Sequence, residues 1–221
     1  MSDQEELWVA DNTQFTGEEG YSHVMDSPTI EDFKTRLRAY HCVRCNLSQE
    51  IAQNPTTSRG NTKSSIMLVG EAPGHNEMLQ GIPFVGKAGR LMDEIFASAG
   101  ILTDRDVYVT NICRCRPKDN RAPHVSEAST CISYLQKEIK LLKPKYIIAL
   151  GATSARYLLE DSLPGKSMAE AVGRFYEAQD YPTSKFFVLY HPAALIYNRS
   201  LRPEMDKHIQ LLLHELNQSK S

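Results

Sequence analysis

No stretch of this 221-residue chain approaches the roughly 18 consecutive apolar residues that a membrane-spanning helix requires. The opening residues, MSDQEELW, also lack the basic-then-apolar order of a secretory signal. A membrane or secreted chain is therefore not expected, and a cytoplasmic one is. A strong charge of either sign is missing too, since 25 Lys and Arg face 27 Asp and Glu. One local absence tells more. Residues 1–30 carry seven acids (Asp3, Glu5, Glu6, Asp11, Glu18, Glu19 and Asp26) and no Lys or Arg, which leaves the rest of the chain at about +5. That balance is compatible with a polyanionic partner. The acidic head over residues 1–30 reads as a loosely held extension of one domain over 31–221.

No internal repeat or low-complexity tract occurs, and no G-x-G-x-x-G, so a dinucleotide fingerprint is absent. Gly81-Ile-Pro-Phe-Val-Gly86-Lys87-Ala88 imitates a phosphate-binding loop but lacks the final Ser or Thr that would bind Mg²⁺. It also begins eleven residues after the preceding apolar run, where such a loop would follow its strand directly. An NTPase is disfavoured on both counts. Cysteines are few and odd in number, five in all. In a cytosolic chain they are not expected to be structural disulfides.

What is present alternates. Apolar, β-branched runs at 65–70, 106–110, 145–150 and 185–190 read as strands, and helical periodicity marks 30–40, 87–99, 124–142, 152–159 and 203–216. Nearly continuous hydrophobic strands alternating with helices predict an α/β domain. It has three layers, with a parallel sheet of about four strands between helices. Ligands of such sheets sit beyond the carboxyl ends of the strands. The segments to search are therefore 70–89, 111–123, 151–155 and 191–200.

The first contains five glycines in twenty residues (Gly70, Gly74, Gly81, Gly86 and Gly89), with Glu71 and Glu77. Glycines there let a ligand approach the backbone. Phe84, in the same Gly/Pro-rich loop, either stacks on a ligand or plugs the core. Asn111 offers one acceptor and two donors, enough to read a base edge bidentately, or else it turns the chain. His191 can donate to developing negative charge or serve structure alone. Arg114, Arg116, Lys118 and Arg121 form a basic run that meets phosphates or is simply solvated. Cys42 and Cys45 form a C-x-x-C. With Cys115 and Cys131 they would supply four thiolates, suited to a [4Fe–4S] cluster or to Zn²⁺, if those segments adjoin. The alternative is five free buried thiols. Cys113 and Cys115 share one face if the strand runs on, so spacing leaves open which of them would be the ligand.

Together, GEAPGHNE (70–77), GIPFVGKAGRLM (81–92), YVTNICRCRPKDNRAP (108–123), CISYLQKEI (131–139), ALGATSA (149–155) and YHPAAL (190–195) resemble the family 4 uracil-DNA glycosylases, the iron–sulfur class of bacteria and archaea. The matches run in family order over roughly residues 37–216. The resemblance implies a uracil-DNA glycosylase-like fold and a monofunctional, monomeric enzyme. It would flip uracil out of single- or double-stranded DNA and hydrolyse its N-glycosidic bond, leaving an abasic site for base excision repair. The alternative class is a uracil-DNA-binding iron–sulfur protein that does not turn over, or that traps its DNA covalently. The trapping relative has a longer basic, His-containing insertion after Asn111 that this chain lacks.

By the same resemblance, Phe84 stacks on the flipped base, Asn111 reads its edge, and Glu77 walls off C5 against thymine's methyl. Gly70, Ala72 and Gly74 complete the pocket. His191 stabilises uracil O2 as negative charge gathers there, and Glu71 orients water or faces the cationic sugar. Better known uracil glycosylases place an Asp where this chain has Ala72. Arg116, Lys118 and Arg199 are implied at the DNA, and Leu195, in a loop over 193–198, is implied to fill the vacated stack. Cys42, Cys45, Cys115 and Cys131 match the ligands of a structural [4Fe–4S] cluster, with Zn²⁺ the lesser alternative. Cys115 is preferred to Cys113 because the family's cysteine precedes Arg-Pro. The chain departs from the family at Met78, where Asp is common, and at Tyr197, where a basic residue is common.

Overall fold

The four apolar runs form the centre of the fold, and each feeds a loop at its carboxyl end. A computed structural model describes residues 16–219 apart from Ala52, Pro164 and Lys166. Its elements in chain order are α1 (Gly17–Met25), α2 (Ile30–Ala39), α3 (Leu47–Glu50), β1 (Arg59–Gly60), β2 (Ile66–Gly70), α4 (His75–Gln80), α5 (Lys87–Ser98), α6 (Thr103–Asp106), β3 (Tyr108–Asn111), α7 (Val125–Leu142), β4 (Tyr146–Leu150), α8 (Ala152–Leu158), α9 (Met168–Ala171), β5 (Phe175–Glu177), β6 (Lys185–Leu189), α10 (Pro192–Tyr197) and α11 (Arg202–Gln218).

The sheet order is β1-β3-β2-β4-β6-β5. The middle four strands are parallel, as expected, while β1 lies antiparallel on β3 and β5 antiparallel on β6. The sheet thus has six strands rather than about four. Both additions are two or three residues long, too short for an alternating pattern to show in sequence.

Side-chain alternation divides the core in two. Met67 and Val69 of β2 join Ile147, Ala149, Phe186 and Val188 beneath α2, α7 and α8. Leu68 joins Val109, Ile148, Leu150, Phe187 and Leu189 beneath α5 and α11. These are the three layers expected. No described helix is long and apolar enough to cross a membrane.

The loosely held head over 1–30 needs correction where it is described. Residues 1–15 lie outside the described residues, but α1 packs on α2. Its Val24 is fully buried in the first core layer, and the Tyr40 hydroxyl donates to Gly17 O at 2.9 Å. Because the acids Glu18 and Glu19 stand in its first turn, where the helix dipole favours them, the acidic composition of this segment is compatible with an ordered helix.

The parallel strands appear in space as second, first, third, fourth. The chain therefore winds in opposite directions from β2 and from β4, and their carboxyl ends open the crevice at which ligands bind in such sheets.

Candidate functional site

A cavity of about 770 Å³ lies at that crevice. Its wall includes Glu71, Ala72, Gly74, Glu77, Phe84, Asn111 and His191, so segments far apart in the chain meet in one place.

Asn111 is the last residue of β3 and is 2% exposed. Its Oδ1 is buried without a hydrogen-bond partner. An unanswered buried acceptor costs about 1–3 kcal/mol, so the position is one that a ligand's donor would relieve. Gly70, beside it on β2, keeps the space open. A Cβ there would press on Asn111 Oδ1 and stand 2.5 Å from Phe84 Cζ.

Phe84 adopts φ +57°, a left-handed conformation that is strained for a bulky aromatic. Its backbone is held against Gly89 of α5, where a Cβ would stand 2.7 Å from Phe84 Cα. Only glycine fits there. The ring, 6% exposed, packs with the second core layer and lies 5.7 Å from the His191 ring, the two planes inclined at 34°. It therefore both plugs the core and lines the cavity.

Glu77 fastens the loop. Its Oε1 accepts the Gly86 N–H at 2.7 Å and its Oε2 the Gly74 N–H at 3.1 Å. The phosphate-loop imitation is thereby explained, because the Gly86 amide that would hold a phosphate already holds a carboxylate, and that charge repels an anion. Glu71 follows β2 and accepts the hydroxyl of Thr153, which stands on α8 after β4. This hydrogen bond crosses the crevice from one side of the strand-order reversal to the other. In the sequence, Thr153 carries no signal beyond its place after a strand.

His191 caps α10, its Nδ1 accepting the Ala193 N–H at 3.2 Å. A lone pair occupied in this way leaves the proton of the neutral ring on Nε2. Burial pushes the imidazole pKa down to about 4, against the opposing pull of the Glu77 charge. At neutral pH the side chain is thus an uncharged N–H donor. Between about pH 6.5 and 4 the unfolded chain would take up a proton at this ring that the folded chain refuses, so stability falls as pH falls through that window. Nitrogen-detected NMR is expected to show the Nε2–H tautomer persisting at pH 5.5; titration near 6.5 would contradict the assignment.

The structure corrects one member of the basic run and one implied DNA contact. Arg114, counted in the basic run, is wholly buried and pairs with Glu138 at 2.6 Å in the core. Leu195 cannot fill a base stack in this arrangement. It is 4% exposed and packs in the second core layer, since α10 lays that face on α5. Of the others, Arg116 donates through Nε to Asn120 at 2.8 Å, while Lys118 and Arg199 are exposed. Arg121 lines the cavity but is engaged by Glu50 and Glu127, each at 2.7 Å.

The five cysteines are free of disulfides and collect beneath α2 and α7 in the first core layer. β3 ends at Asn111, so Cys113 and Cys115 lie in the loop beyond it and the strand-face expectation for them does not apply. Among the described residues, no three His, Cys, Asp or Glu side chains converge on a single-ion site. The donor set nevertheless suits an iron–sulfur cluster. Cys42, Cys45 and Cys115 lie within electrostatic reach of Cys131, and burial pushes the thiols of all three up. Cys131 Sγ accepts the Arg114 N–H at 3.2 Å and Cys42 Sγ faces the Tyr134 hydroxyl at 3.5 Å, the kind of hydrogen bonding that steadies ligating sulfurs. Cys113 donates to Cys131, which lowers the latter's pKa.

Residues 57–217 match the protein-family model described as the uracil DNA glycosylase superfamily. The chain is 37% identical to the type-4 uracil-DNA glycosylase of Archaeoglobus fulgidus over 167 residues, covering 75% of this chain and 83% of that one. It is likewise 37% identical to the type-4 enzyme of Saccharolobus solfataricus over 168 residues, 75% of this chain and 77% of that one. With the type-4 enzyme of Thermotoga maritima it shares 32% identity over 184 residues, 83% and 90% of the two chains.

Proposed function

Because this chain belongs to the uracil DNA glycosylase superfamily, among its type-4 uracil-DNA glycosylases, we propose that it excises uracil from DNA as a monofunctional N-glycoside hydrolase acting in base excision repair. The observation that carries the site assignment is the buried, unpartnered Oδ1 of Asn111 at the wall of a cavity large enough for a base.

Uracil inside a duplex cannot reach such a cavity and must leave the stack. Its edge presents the N3–H donor beside the O4 acceptor. The Asn111 carboxamide answers both, Oδ1 accepting from N3 and Nδ2 donating to O4. Phe84 supplies the stacking face. Glu77, pinned by the Gly74 and Gly86 amides, stands against C5 and refuses the methyl that distinguishes thymine. Gly70, Ala72 and Gly74 keep the backbone close to the ring.

As the N-glycosidic bond breaks, its electron pair leaves with uracil and the sugar becomes cationic. The Nε2–H of neutral His191 donates to O2, where the negative charge gathers. A neutral donor suits this task because it stabilises the anion without taking the burial cost of a cation. Glu71, oriented by Thr153, faces the cationic sugar and directs the water that completes the hydrolysis. Arg116, Lys118 and Arg199 meet the DNA backbone.

Cys42, Cys45, Cys115 and Cys131 would hold a [4Fe–4S] cluster. Bound there, it would supply four iron–thiolate bonds joining the loop before α3, the loop after β3 and α7. Purified protein is expected to contain about four irons with matching sulfide; one Zn²⁺ in their place would overturn the cluster assignment.

The deciding experiment incubates the protein with end-labelled oligonucleotides carrying a single U, or T in its place, followed by alkali to cut abasic sites. Scission at U alone is expected. Retention of uracil-containing DNA without scission would instead favour the binding or trapping class.

A further inference from the structure

Between α2 and α3, Cys42 and Cys45 stand on a loop that belongs to no helix and to no strand of the sheet. Such a segment samples many conformations in isolation, and ordering it costs conformational entropy. Arg44, between the two cysteines, holds it in place. Its Nη1 donates to Thr130 O at 3.2 Å and to Ser133 Oγ at 3.1 Å, on the turn of α7 that carries Cys131. One side chain therefore ties the loop bearing two of the candidate ligands to the helix bearing a third.

The guanidinium is covered by α1. Its Cζ lies 3.6 Å from the centroid of the Tyr21 ring, a cation over an aromatic face. Tyr21 in turn meets the Tyr134 ring edge-on, centroids 5.8 Å apart at 74°, and the Tyr134 hydroxyl is the one that faces Cys42. α1 is itself fastened beside the loop. Arg36 Nη1 of α2 donates to His23 O at 2.9 Å, and Thr16 pairs as a parallel bridge with His41, the residue before Cys42. The Arg44 charge also lies within electrostatic reach of Cys42 and Cys131, where it offsets the repulsion among gathered thiolates. α1, α2 and the C-x-x-C loop all precede the segment that matches the superfamily model, which begins at residue 57.

We propose that Arg44 is a positioning residue for the cluster and α1 its cover: together they hold the C-x-x-C loop against α7 and slow the loss of iron from Cys42 and Cys45. This rests on the cluster reading above. Of the four candidate ligands Cys45 alone is not fully buried, so it is the point at which a chelator reaches the iron. A loop free to swing away from α7 opens that point. A loop pinned through Arg44 and Tyr21 keeps it closed.

The test follows release of iron from the purified holoprotein to bathophenanthroline disulfonate under anaerobic, reducing conditions. Tyr21→Ala is expected to speed release by roughly 5- to 30-fold, and Tyr21→Phe to keep the wild-type rate, because the cation needs the ring face and not the hydroxyl. Arg44→Ala also loses both hydrogen bonds to α7, and is expected to speed release by roughly 10- to 100-fold or to purify with less than the full iron content. Visible absorbance per iron should match wild type in every loaded variant, since no ligand has changed. Leu212→Ala, a truncation in the second core layer, is expected to lower the melting temperature and leave the release rate near wild type. A Tyr21→Ala rate within about twofold of wild type overturns the proposal, as does equal acceleration in Leu212→Ala. Wild-type protein that holds one Zn²⁺ or no metal overturns the cluster reading itself, and the proposal with it.

Discussion

An Asn111→Ala variant is expected to lose uracil excision by about 10²- to 10³-fold in single-turnover rate, with its far-UV spectrum and melting temperature near wild type. The size follows from what the carboxamide does. In the function proposed above it would supply both hydrogen bonds to the edge of uracil, and one of its atoms is already buried without a partner in the free protein. Removing the side chain thus removes no internal hydrogen bond of that oxygen, and the fold should be indifferent or slightly favoured. Truncation also leaves room in which a bound base is no longer held in one orientation. A rate within threefold of wild type on the U-containing oligonucleotide would sink the assignment, whichever way stability moves.

The largest expected effect on stability lies at Glu138. This carboxylate is fully buried and accepts from Arg114 Nη2 at 2.6 Å, the Tyr108 hydroxyl at 2.8 Å and the Thr110 hydroxyl at 2.9 Å. Arg114 also donates through Nη1 to Thr57 O at 3.3 Å. Glu138→Ala would leave a guanidinium charge in the core with no counter-charge, at a cost of about 3–5 kcal/mol. In a chain of this size that corresponds to a fall in melting temperature of roughly 6–20 °C. The paired change Arg114→Met with Glu138→Leu should be more stable than Glu138→Ala alone, because no charge is then stranded. Melting within 2 °C of wild type for Glu138→Ala would show that the pair is not buried as described.

The legibility of this chain divides along the range of the forces involved. The four parallel strands and the helices α2, α5, α7, α8 and α11 follow from periodicity, since each buries a face long enough to impose a pattern on the residues. Asn111, Phe84, Glu77 and His191 were identifiable because each follows a strand end or sits in a glycine-rich loop, and the α/β architecture brings such loops together.

What was not legible depends on contacts between distant segments. Arg114 reads as one more cation in a basic loop, and only Glu138, 24 positions on and one face of α7 away, takes it into the core. Leu195 and Tyr197 are both large and apolar. Nothing in YHPAALIYN says which faces inward until α10 is laid on α5. The helix at 17–25 was hidden by its own acids, which suggest solvent when counted and a helix start when placed.

The two short antiparallel strands have a bearing on how the protein keeps company with itself at high concentration. A parallel sheet left bare at its flank offers a row of unpaired amides on which a second molecule can add a strand. Here β1 covers β3 with two residues, and Arg59 within it is tied to Asp93 and Asp104, each at 2.5 Å. On the other flank β5 covers β6 with three, Lys185 opposite Glu177 at the end of the ladder. Both margins of the sheet are therefore brief, and charged side chains stand on them, so neither gives a growing β-aggregate the long, flat, uncharged seam it would need to begin.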